Sequence, residues 1–142
     1  MLLYGAEAWT MSYEDERIVG VFERNILRRI YGPLCVNGEY RCRYNDELYQ
    51  LYQDVDVVKR IKLQRLRWLG HVLRMDNTAT ARAAYDGVPL GGTHKKRRPR
   101  LKWKDQVTTD LSKLGVSNWR QRAQRRGDWR AMLDAAKTDT RL

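Results

Sequence analysis

The sharpest chemical feature of this 142-residue sequence is Lys95-Lys96-Arg97-Arg98-Pro99-Arg100, in which six residues supply five cations. Its Gly and Pro flanks give a backbone that can follow a phosphate chain, and a nuclear-import signal is a second use of the same residues. Lys102 and Lys104 extend the run with almost no acids nearby, so phosphate binding outweighs the reading as a solvated loop. Trp103 lies inside the stretch and could stack on a base. Its helical spacing with Val107 and Leu111 favours a place in the core instead. Arg60, Arg67 and Arg74 recur every seven residues, which puts them along one helix stripe. That stripe suits backbone phosphates as well as it suits an ordinary solvated face. His71 falls beside Arg67 and Arg74, where a role near phosphates fits better than metal binding or general-base work.

No catalytic constellation assembles from the remaining residues. The adjacent carboxylates Glu14-Asp15-Glu16 and Asp46-Glu47 fall at helix starts, where capping and the helix dipole account for them. Cys35 and Cys42 are the only cysteines, with no histidine near them, so neither a disulfide framework nor a zinc site follows. No metal and no cofactor is expected, and the thiols point to a reducing compartment.

Charge sorts along the chain. Residues 1–58 carry 6 Lys/Arg against 10 Asp/Glu, residues 59–104 carry 14 against 2, and residues 105–142 carry 8 against 5. The excess behind the formal net charge of +11 therefore sits in one central band, as a localised phosphate-binding surface requires. Hydrophobic residues at 42% are too many for a disordered chain, and the length allows one ordinary domain with a modest core. Five Trp and eight Tyr stand against one Phe, favouring the aromatics that combine an apolar body with a polar handle. No signal peptide or apolar run of membrane length is present, so the expected location is inside the cell and off the bilayer.

The elements that must position these residues read as helices. Residues 2–9 look like the tail of an element whose beginning is missing. Ser12 with Asp15 and Glu16 predicts a helix start, and Ile18, Phe22, Ile26 and Ile30 repeat every four positions up to Gly32-Pro33. Residues 34–44 read as a loop, and Asn45 as the cap of a short helix. A third helix runs from about Asp56 to about Met75. It has Val57, Ile61, Trp68, Val72 and Met75 on its apolar side, and Lys59, Arg60, Arg67, His71 and Arg74 opposite. A short helix is expected over Ala79–Tyr85, then a polar Gly-rich linker. Trp103 to Leu114 follows as a helix ended by Gly115, with two more capped by Ser117 and Asp128. Trp68, Trp119 and Trp129 are expected to be structural. No segment alternates, so no sheet is predicted.

Several of these words occur together in one known family. Leu2-Leu3-Tyr4-Gly5-Ala6-Glu7-Ala8-Trp9 comes first, then Phe22-Glu23-Arg24-Asn25-Ile26-Leu27-Arg28-Arg29-Ile30-Tyr31-Gly32-Pro33. Arg65-Leu66-Arg67-Trp68-Leu69-Gly70-His71-Val72-Leu73-Arg74-Met75 follows, and then Arg98-Pro99-Arg100, Trp103, Asp105, Asp110-Leu111, Asn118-Trp119 and Asp128-Trp129-Arg130. In this order the chain resembles the region after the catalytic palm in reverse transcriptases of non-LTR (LINE-type) retrotransposons. The resemblance implies a thumb and C-terminal region that holds template RNA and primer DNA while another part of the polyprotein polymerises. The family's metal-binding Tyr-x-Asp-Asp turn, its endonuclease domain and the Cys/His cluster of some members are absent from this sequence.

The expected fold is all-α, a small bundle of five or six helices in which the first and third pack together. Its expected divisions are a thumb-like region at 1–86, a basic linker at 87–100 and Trp-rich helices at 101–142. The expected function is non-catalytic, sequence-tolerant binding of RNA or an RNA/DNA duplex through Arg60, Arg67, Arg74, Lys95, Lys96, Arg97, Arg98, Arg100, Lys102 and Lys104. RNA or DNA and other domains of a retrotransposon polyprotein are the expected partners, and the nucleus the expected location. Two rivals stand beside this reading: a protein-interaction module that docks through its Trp-rich helices, and a decayed element remnant without selected activity.

Overall fold

The computed structural model describes residues 3–87 and 102–142. They form seven α-helices, a short 3-10 turn at Ala6–Ala8 and one small hairpin: α1 (Tyr13–Tyr31), β1 (Leu34–Val36), β2 (Glu39–Arg41), α2 (Asn45–Tyr52), α3 (Val57–Leu73), α4 (Thr80–Asp86), α5 (Trp103–Lys113), α6 (Trp119–Gln124) and α7 (Arg126–Thr138). The protein is thus mostly helical, as expected, with seven helices among the described residues against the five or six expected. Two compact units result, one of residues 11–60 and one of residues 1–10 with 61–142. Most of α3 lies in the larger unit, where it shares a core with α5 and α7. Apart from Gly87, the expected basic linker lies outside the described residues.

In the smaller unit α1 begins with a capping box. The Ser12 hydroxyl accepts from the Asp15 backbone N–H at 3.2 Å, and the Asp15 carboxylate accepts from the Ser12 N–H at 2.8 Å. Gly32, at φ +66°, closes the helix. Leu27 and Leu48 are buried where α1 meets α2. Ile18, Phe22, Ile26 and Ile30 are exposed, so the expected packing stripe of α1 does not serve as a packing face. The expected loop at 34–44 contains an antiparallel hairpin, which corrects the reading without a sheet. Its turn is Asn37-Gly38, both at positive φ, a pair that closes two-residue hairpins because neither residue is strained there. Asn45 does not cap α2: its side chain accepts from Arg28 Nη2 at 2.8 Å. The cap comes from Glu47, whose carboxylate accepts from the Tyr44 N–H and grips Arg41 at 2.6 and 2.9 Å. The Arg41 guanidinium, then the Tyr44 N–H, holds the Glu47 carboxyl down at about 2. Asp56 caps α3 by accepting from the Lys59 N–H at 2.9 Å.

In the larger unit Leu66, Leu69 and Leu73 of α3 share one apolar cluster with Val107 and Leu111 of α5 and with Met132 of α7. Gly115 at φ +67° ends α5, and the Val116 N–H donates to the Leu111 carbonyl at 3.2 Å. The start of α5 is tied to the N-terminal turn, because Trp103 Nε1 donates to the Glu7 carbonyl at 2.7 Å. Ser117 does not cap α6; Asn118, left-handed at φ 55°, precedes that helix instead. Asp128 falls inside the first turn of α7 rather than at its cap.

Two interactions fix how α3 sits against its neighbours. Arg65 is 1% exposed, and its guanidinium reaches Asp110 of α5 at 2.6 Å, the Gln106 amide oxygen at 2.7 Å and the Trp9 carbonyl at 3.3 Å. The second is the meeting of Gly70 and Trp129. The indole of Trp129, 2% exposed, donates Nε1–H to the Leu66 carbonyl at 3.1 Å and lies flush on the bare Cα of Gly70. A Cβ at position 70 would fall inside the van der Waals radius of the indole ring.

Gly70→Ala is therefore expected to lower the unfolding free energy by about 1–3 kcal/mol through overpacking, although alanine is the better helix former by roughly 1 kcal/mol. The shift in urea midpoint measures it, and an unchanged or raised midpoint would contradict the packing described. Asp110→Ala should cost about 3–5 kcal/mol because it strands a buried guanidinium, whereas the double replacement Arg65→Met with Asp110→Leu should recover most of that. Denaturation of both variants side by side decides it; equal losses would show that the pairing is not what matters.

Candidate nucleic-acid interface

Arg65 and Leu66 point into the core, so the hundred-degree step of a helix turns Arg67 and Trp68 outward. Trp68 is 36% exposed, which corrects its expected place on the packed stripe. Leu66, left off that stripe, is fully buried in its stead. One turn on, His71 is also exposed, its ring tilted against the Trp68 indole at 5.3 Å between centroids. Arg74 follows just past the end of the helix. Facing this edge, α7 presents Arg126 and Arg130 at a spacing of four, on either side of the buried Trp129.

Together these residues line an open cavity of about 930 Å³, with Gln64, Leu133, Glu7 and Asp134 completing its wall. Four arginines and one histidine meet two carboxylates there, and among the described residues no ion pair joins Glu7 or Asp134 to any of the four. Arg74 is the most constrained. One guanidinium nitrogen donates to the Ala123 carbonyl at 2.6 Å, while its Nε is buried without a hydrogen-bond partner. Burial, and then repulsion from Arg126, lowers its pKa from the ordinary arginine value. The Gln64 amide oxygen is likewise buried and unpartnered. Among the described residues, four guanidinium groups against two unpaired carboxylates, with orphaned polar atoms nearby, cost stability.

The cations expected to bind phosphate separate into groups. Arg67 and Arg74 line this cavity. Arg60 belongs to the smaller unit and is ion-paired with Asp54. Lys102 is exposed, and Lys104 lies over the Tyr85 ring at 4.6 Å while donating to the Tyr85 carbonyl at 3.3 Å. Lys95, Lys96, Arg97, Arg98 and Arg100 lie outside the described residues. Other cations of the central band have structural work: Arg65 is buried on Asp110, Lys62 donates to the Leu142 carbonyl at 3.1 Å, and Arg82 pairs with Asp86 at 2.6 Å. Arg126 and Arg130 were not singled out from sequence. Their spacing around Trp129 was the available signal, but they lie outside the densest run of charge.

No protein-family model matches the chain, and no solved structure matches it. It is similar to an uncharacterized transposon-derived protein of Caenorhabditis elegans, 23% identical over 144 residues, an alignment that covers 98% of this chain and 52% of that protein. The chain therefore spans about half the length of the curated relative it matches. The likeness ties it to transposon-derived sequence.

Because Arg126 crowds Arg74, Arg126→Gln is expected to stabilise the free protein at low salt by up to about 0.5 kcal/mol while weakening its affinity for polyphosphate. Thermal unfolding with and without tripolyphosphate reads both effects. A variant that is destabilised when free, or that binds polyphosphate undiminished, would contradict the electrostatic account.

Proposed function

We propose that this chain is a non-catalytic, nucleic-acid-binding part of a non-LTR retrotransposon reverse transcriptase, holding RNA or an RNA/DNA duplex through backbone phosphates. The observation that carries the reading is the cavity beside α3, where Arg67, Arg74, Arg126 and Arg130 converge with no ion-paired carboxylate among the described residues. The sequence supports it with the run from Lys95 to Arg100, and the likeness to a transposon-derived protein supports the setting. Basic side chains around an open groove neutralise phosphates without reading bases, so binding of this kind tolerates any sequence. The polymerase chemistry belongs to parts of such a protein that carry metal-binding aspartates, and the nucleus is the proposed place of action. In this reading the basic run at 95–100 adds further phosphate contacts.

One observation favours a second reading, a protein-docking module: α1 leaves Ile18, Phe22, Ile26 and Ile30 exposed along one face. The two separate cleanly. For nucleic-acid binding, affinity for a labelled RNA/DNA duplex should fall linearly on a logarithmic salt axis, by about 0.9 in log K per phosphate contacted on duplex DNA and somewhat less on single strands. Replacing Lys95, Lys96, Arg97 and Arg98 with alanine should reduce both the affinity and the slope. A slope near zero would overturn the proposal, and a charge-stripped variant that still docks its protein partner would favour the second reading.

A further inference from the structure

We infer that the α3–α7 cavity seats an unpaired nucleotide, with its base against the Trp68 indole and its flanking phosphates on Arg67, Arg126 and Arg130. The inference rests on the nucleic-acid reading above and goes beyond it, since that reading needs only phosphates. Phosphate contact does not require an aromatic ring in the site, yet this site has one. Trp68 is 36% exposed at the cavity wall although it is the largest apolar side chain on α3, and the neighbouring Leu66 and Leu69 are fully buried. Burying the indole would have been the favourable use of so large an apolar surface. His71 lies beside the ring, tilted by 49° with 5.3 Å between centroids, and the four arginines line the same cavity.

That pairing of an aromatic platform with a cationic rim is the chemistry by which proteins hold single strands. Every base has a face to stack, and the rim follows the backbone. Within a duplex no base face is free, because each base already stacks on its neighbours. The dimensions agree: about 930 Å³ is room for a nucleotide unit, at the upper end of the range typical of small-molecule sites. Gln64 and Arg74 also line the cavity, and each holds a buried polar atom without a hydrogen-bond partner, the amide oxygen and Nε. Glu7 and Asp134 in the same wall would repel additional phosphates, which restricts the site to a short stretch of strand.

The test compares Trp68→Ala and Trp68→Phe with the unaltered full chain, using fluorescence anisotropy on a labelled oligouridylate and on a blunt RNA/DNA duplex at one salt concentration. Trp68→Ala should weaken single-strand binding by about tenfold and leave duplex binding and its salt dependence unchanged, while Trp68→Phe retains most of the affinity. The part of the tryptophan emission that Trp68→Phe removes should be quenched by the oligouridylate. Trp68 is partly exposed, so unaltered circular dichroism is expected of both variants. Equal losses on both ligands, or no loss on either, would overturn the inference while leaving phosphate binding intact. A full chain that binds neither ligand would overturn both this inference and the nucleic-acid reading.

Discussion

A single ion pair sets the rotation of the helix on which everything else is arranged. Arg65 and Asp110, 1% and 5% exposed at their side chains, meet where α3 crosses α5. Two charges removed from water hold together only when geometry and further hydrogen bonds compensate for their lost hydration, and Gln106 and the Trp9 carbonyl supply those bonds. The pair tolerates little rolling of α3, because a rotation of one residue would bring Leu66 into Arg65's place and expose the guanidinium's partner. Once Arg65 faces inward, Arg67, Trp68 and His71 must face out. The polar edge of the cavity is a by-product of how the core is locked.

Local signals in the sequence marked most helix ends, because caps and stops act over three or four residues. Ser12 with Asp15, Gly32 before Pro33, Asp56 and Gly115 each do what their residue type allows. The Asn37-Gly38 turn was equally local and equally readable, but three-residue strands are too short to show alternation. Rotation about the helix axis was harder. Counting apolar residues placed Trp68 inside, where the structure turns it outward, and gave no sign of Arg65 as a core residue, since a buried cation is recognisable only from its partner 45 positions away. The candidate site was half legible for the same reason. Arg67 and Arg74 belong to the conspicuous basic band, whereas Arg126 and Arg130 join them only through the packing of Trp129 against α3.

Charge also separates by unit, less sharply than by position along the chain. Residues 11–60 carry 8 Lys/Arg against 9 Asp/Glu, while the described residues of the larger unit carry 15 against 8. The smaller unit uses its cations in local pairs such as Arg17 with Glu14 and Arg41 with Glu47. Polyanion attraction therefore concentrates on the larger unit. The smaller unit contributes instead an uncovered apolar face on α1.

The bare Cα of Gly70 beneath the Trp129 ring bears on how copies of a sequence like this one age. The two codons lie 59 positions apart, yet they encode one fit: any side chain at position 70 clashes with the indole, and loss of the indole removes the hydrogen bond to Leu66 and its share of the core. Neutral drift would erode the two positions independently. A copy that keeps this fold must therefore keep both residues or change them together.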